Sequence, residues 1–100
     1  MTAITDITKL VQGQELIKVF NGEVHYYEFL MIHPYNPEYI FCMNFCKRVE
    51  RFCKSEVYKQ FFTDYTERDL INVRREHALK TLKECDMALK ELGDKDNLKD

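Results

Sequence analysis

Apolar positions along the chain change their period twice, and each change marks a new kind of element. Ile4, Ile7, Leu10 and Val11 recur at helical spacing near the start. This predicts a short helix, capped by Thr5 or Asp6, stopped at Gly13 and covering an edge or face of the strands after it. Period two then takes over. Residues 16–20 and 23–32 are apolar runs joined by Asn21-Gly22, the dipeptide suited to a type I′ hairpin because both central positions need positive φ. In the second run Val24, Tyr26, Glu28, Leu30 and Ile32 alternate with His25, Tyr27, Phe29 and Met31. Both sets are largely apolar, which predicts a strand covered on both faces. In His33-Pro34-Tyr35-Asn36-Pro37 each proline pushes the residue before it away from helix. A third strand begins at Tyr39, making an antiparallel meander over residues 16–45.

Residues 39–62 carry two patterns at once. As a strand, Tyr39, Phe41, Met43 and Phe45 share a face; as a helix, Cys42, Phe45, Cys46, Val49, Phe52 and Cys53 form a stripe. The reading adopted is a strand over 39–45 and a helix over 46–62, with a break near Ser55. Thr66-Glu67-Arg68-Asp69 then has the form of a capping box, with Asp in place of the better Glu or Gln. The helix it opens runs to Leu92, with Gly93 as its stop. Ala78, Leu82, Cys85, Leu89 and Leu92 alternate four and three apart as a heptad seam, and Glu76–Lys80 and Asp86–Lys90 are favourably ordered pairs. The fold class expected is α+β: a short N-terminal helix, a three-stranded antiparallel meander, then a shorter helix and a long C-terminal amphipathic helix packed on the sheet. One compact domain spans 1–93, and 94–100 is a frayed charged tail.

Composition narrows the class of function more than it names one. The chain has 100 residues, 45% hydrophobic and 32% charged, enough for a core without a metal or disulfide. Formal net charge is −2, which argues against a dedicated nucleic-acid binder. No apolar run approaches the roughly 20 residues of a membrane span, and no basic start leads into an apolar segment. The expectation is therefore a cytoplasmic protein, away from the membrane, with its four cysteines as thiols.

Candidate chemistry is sparse. Cys42, Cys46 and Cys53, with His25, His33 and His77, supply zinc-type donors without the paired spacing of a zinc motif. Cys46 and Cys53 have neighbouring cations that could favour a thiolate, yet both sit on the apolar stripe with no local Cys/His signature. Glu28 stands out among the carboxylates because apolar residues surround it; the preferred reading is that it faces solvent or a cross-strand Lys or Arg. No metal, cofactor or catalytic residue is assigned, and the protein is read as non-enzymatic.

The remaining signal is an excess of aromatic surface: Trp is absent, but 13% of residues are aromatic, eleven of them between Val24 and Phe62. Tyr, Phe, Met and Arg are enriched in protein interfaces. The first expectation is a small regulator, adaptor or inhibitor that binds a protein partner and forms a homodimer. Tyr26, Tyr35, Tyr39 and Tyr58 would make the partner surface, with Arg48 and Arg51 at its rim. The alternative is a nucleotide or other small anionic ligand, held by Lys47, Arg48, Arg51, Arg74 and Arg75 with a tyrosine stacked on the base. A thiol enzyme or zinc domain ranks third.

Overall fold

A computed structural model describes the backbone of residues 1–98 and the side chains through Gly93. It shows an α+β architecture built on one six-stranded antiparallel sheet. In chain order the strands are β1 (Thr2–Ala3), β2 (Glu15–Phe20), β3 (Glu23–Ile32), β4 (Tyr39–Asn44), β5 (Val49–Cys53) and β6 (Phe61–Thr63). Helix α1 (Lys54–Gln60) lies between β5 and β6, and helix α2 (Glu67–Leu98) comes after β6. Across the sheet the order is β1-β6-β2-β3-β4-β5.

The three-stranded meander expected over 16–45 is corrected to this six-stranded sheet, in which β2, β3 and β4 lie side by side. Asn21 and Gly22 both take positive φ, 49° and 75°, and close the β2–β3 hairpin so that Phe20 faces Glu23. Register shifts between Phe29 and Met31. The extra residue changes which side chains face the core. Tyr27 and Phe29 meet the core before the shift and Ile32 meets it afterwards, so Ile32 does not share a face with Tyr26 as strict alternation predicts.

Three further expectations are corrected. In place of an N-terminal helix the chain forms β1 and a single 3-10 turn over Ile7–Lys9, capped by the Asp6 carboxylate, which accepts from the Thr8 amide. Of the apolar positions expected on that helix, Ile4 and Ile7 are buried in the core and Leu10 packs against it, whereas Val11 is exposed. In place of a helix over 46–62 there is a strand, a two-turn helix and another strand. Phe52, Val57 and Phe61, all placed within the expected helix over 46–62, come from β5, α1 and β6 and meet in the same core. Edge-to-face packing of Phe52 on Phe61, with centroids 4.9 Å apart, and of Tyr27 on Phe52 at 5.0 Å, ties these elements together.

The third correction concerns α2. It does not lie along the sheet, because the core face is already closed by the N-terminal segment and α1. Leu16, Phe29, Ile40 and Cys42 from the sheet pack with Ile4, Ile7 and Val57. Helix α2 touches the sheet only near its start. The Met1 amino group reaches Asp69 at 2.9 Å, and the His77 ring lies so close to Gly22 that a Cβ there would overlap it. Leu70 and Val73 are half-buried; from Arg74 onward every residue with a described side chain is exposed. The helix runs through Gly93, where a stop was expected, and reaches Leu98. It stretches the molecule to 66 × 30 × 26 Å. Of the expected frayed tail, residues 99–100 lie outside the described residues.

Candidate functional site

With the core on one face, the other face of β3, β4 and β5 is left open. Paired residues on neighbouring strands point the same way, so the ladder defines its rows. Met31, Phe41 and Arg51 make one row; Glu28, Met43 and Val49 make the next. Met31 is 47% exposed and Val49 58%. This is the face on which strand alternation places Tyr39, Phe41 and Met43.

One hollow deepens the surface at one end of this face, and a second adjoins it around the β4–β5 turn. The larger, about 410 Å³, is lined by Tyr26, Glu28 and Met43 from the strands, by Glu15 and Tyr65 on one side and by Phe45 and Lys47 on the other. Tyr65 leans over Tyr26 with ring centroids 6.2 Å apart, and Phe45 is 85% exposed at the β4–β5 turn. The smaller hollow, about 360 Å³, continues past Phe45 to His25, Cys46 and Glu50.

A tight turn builds the Phe45 side. Asn44 ends β4 and accepts from the Arg48 amide through its side-chain oxygen at 3.0 Å, while its Nδ2 donates to Glu50. Lys47 takes a left-handed backbone, φ 63°, which closes the turn and leaves Phe45 at its tip. Beneath it the Glu50 carboxylate lies near the Tyr27 hydroxyl. Burial first, and the Glu50 charge second, push that hydroxyl up to about 12.

The electrostatics of the larger hollow run against the expected cationic rim. Glu15 and Glu28 are direct cross-strand partners, an arrangement of like charges that costs stability. Sequence reasoning expected solvent or a basic partner opposite Glu28; β2 places Glu15 there. The Tyr65 hydroxyl donates to Glu15 at 3.4 Å, and burial together with that carboxylate raises its pKa. Lys47 is the one basic residue in the lining. The site is aromatic and acidic.

The expected site residues separate accordingly. Tyr26 lies in the hollow. Tyr39 is half-buried on the same open face, with the Arg51 guanidinium 4.6 Å from its ring centroid. Tyr35 stands 93% exposed in the Pro34–Pro37 loop, where the His33 Nδ1 accepts from the amides of Tyr35 and Asn36. Tyr58 is half-buried: it packs against the core from α1, and its hydroxyl accepts from the Ile7 amide at 3.3 Å. Of the cations expected to hold an anionic ligand, Lys47 lines the hollow, Arg48 and Arg51 sit on the turn and β5, and Arg74 and Arg75 lie on α2. Phe45, Tyr65, Glu15 and Met43 were missed as site residues. A tip aromatic, a connector and two strand positions carry no joint signal until the ladder brings them together.

The thiols lie apart, in different surroundings. Cys42 is fully buried, and burial pushes its thiol up to about 12. Cys53 lies at the start of α1, where its hydrogen bond with the Ser55 hydroxyl lowers its pKa. Cys46 and His25 share the smaller hollow, but the His25 Nε2 turns to Glu23 at 3.3 Å. Among the described residues no three His, Cys, Asp or Glu side chains are placed to hold a metal. No described helix is long and apolar enough to cross a membrane. No family model matches the chain, and no curated protein and no solved structure matches it.

Proposed function

We propose that this chain is a small non-enzymatic regulator or adaptor that binds a protein partner through the open face of its sheet. The partner segment would place an apolar side chain against Tyr26, Met43 and Phe45 and a Lys or Arg beside Glu15 and Glu28. The supporting observation is the hollow itself, where exposed aromatic rings surround a like-charged carboxylate pair. Rings present a negative face to a cation, an attraction of about 0.5–2 kcal/mol, and the carboxylates add Coulomb attraction. A cationic side chain would also relieve the Glu15–Glu28 repulsion. The same charges disfavour a phosphate, which moves the anionic-ligand reading to second place.

An NMR titration tests this with two sets of short peptides that alternate apolar residues with either Lys/Arg or Asp/Glu. Basic peptides are expected to shift Tyr26, Phe45 and Tyr65 together, and the double substitution Glu15→Gln, Glu28→Gln to weaken them about tenfold or more. Acidic peptides or nucleotides that shift Lys47, Arg48 and Arg51 instead would move the assignment to the anion site.

A further inference from the structure

We infer that the exposed stripe of α2 is covered by the α2 of a second copy of this chain, running antiparallel. The inference builds on the dimer expected of the protein-binding reading, but it is independent of what occupies the sheet face.

Its first support is the helix itself. Beyond His77 the helix has no cover from its own chain among the described residues, and helices in proteins owe most of their stability to a packed apolar face. The apolar residues are nonetheless ordered. Ile71 extends the seam of Ala78, Leu82, Cys85, Leu89 and Leu92 by one heptad, with Arg75 at the intervening seam position. From Ile71 to Leu92 this is three heptads, about 33 Å at 1.5 Å per residue. Ile71, Leu82, Leu89 and Leu92 are each more than half exposed. At 100° per residue the seam lies about a third of a turn from Leu70, Val73 and His77, the side nearest the sheet, so the sheet leaves it free.

Direction is set by size and charge. A parallel pair would stack Arg75 on the partner's Arg75 and Ala78 on the partner's Ala78. An antiparallel pair centred near Lys80 sets Ala78 against the partner's Leu82 and Ile71 against the partner's Leu89. It also brings Arg75 beside the partner's Asp86 on the same side of the seam, twice over. Leu79 is 56% exposed and just off the seam; at the two-fold axis it meets the partner's Leu79. One arrangement thus covers the residues a parallel pair leaves open and turns the buried cation into an ion pair.

The test is sedimentation velocity on the full chain. A dimer is expected at about 100 μM, and Leu82→Glu with Leu89→Glu should raise its dissociation constant by at least about 100-fold. Both positions are exposed in the single chain, so the sheet's circular dichroism should not change. A wild-type monomer at that concentration overturns the proposal. Direction is read by oxidative crosslinking. Leu79→Cys, in a background with Cys46→Ser and Cys85→Ser, should crosslink to its own copy, whereas Cys85 in the natural chain should not. Crosslinking at Cys85 instead of at position 79 overturns the antiparallel arrangement. Peptide binding at the sheet face should survive in the Leu82→Glu, Leu89→Glu variant, so failure of α2 pairing is distinguishable from failure of the binding reading.

Discussion

Lys47 shows what single residues conceal. A left-handed backbone is the usual mark of Gly or Asn in a tight turn. Here a lysine takes it, with the Asn44 side chain bonded to the Arg48 amide across the turn. Nothing between Phe45 and Val49 signals a turn, so the apolar positions on either side merge into a false helical stripe. Replacing Lys47 with Gly should relieve the backbone cost and stabilise the fold by about 1 kcal/mol, seen as a higher urea midpoint with an unchanged slope. Asn21-Gly22, by contrast, was legible because both residues suit the conformation they adopt.

Two protons, on half-buried Tyr27 and buried Cys42, make a second prediction at the same scale. Tyr27 and Cys42 are both raised to about 12, from ordinary values of 10.0 and 9.0. The folded chain therefore keeps protons that the unfolded chain releases. That contribution is complete below the unfolded values and is lost as pH rises from about 9 towards 12. Urea midpoints should fall across this window, and Tyr27→Phe should flatten the part of the decline above about pH 10.

At the scale of elements, local signals were legible. The β2–β3 hairpin and the start of α2 each rest on a few adjacent residues. In the capping box the Thr66 amide donates to the Asp69 carboxylate at 2.9 Å, and the Asp69 amide donates to the Thr66 hydroxyl at 3.2 Å. Asp69 also receives the Met1 amino group, and these bonds lower its pKa. Thr66→Ala should cost about 1 kcal/mol of helix stability, measured as lost helical circular dichroism with the sheet signal kept. Pairings set by distant residues were not legible. Strand β6 has three residues and gains its place by joining β1 to β2, with Thr63 opposite Thr2 and Phe62 opposite Ile17. The bulge at Phe29–Met31 is of the same kind: alternation in the sequence continues through it, but the ladder does not.

The whole molecule explains why the aromatic excess was visible while the site was not. Phe29, Phe52 and Phe61 sit in the core, whereas Tyr26, Phe45 and Tyr65 border an open hollow. Composition cannot sort the two sets, because the sorting depends on which sheet face the N-terminal segment and α1 close. Once they close the core face, the other face of β3, β4 and β5 and the stripe of α2 have no partner from their own chain among the described residues. On the reading proposed for both, other chains complete this surface, with α2 paired to its own copy. Hydrogen exchange at two protein concentrations reads that pairing on the helix itself. Amides in residues 71–92 should be protected at high concentration and exchange much faster after about 100-fold dilution, while β2, β3 and β4 keep their protection at both. Equal exchange of α2 at the two concentrations would contradict the pairing, because the helix would then need no second chain.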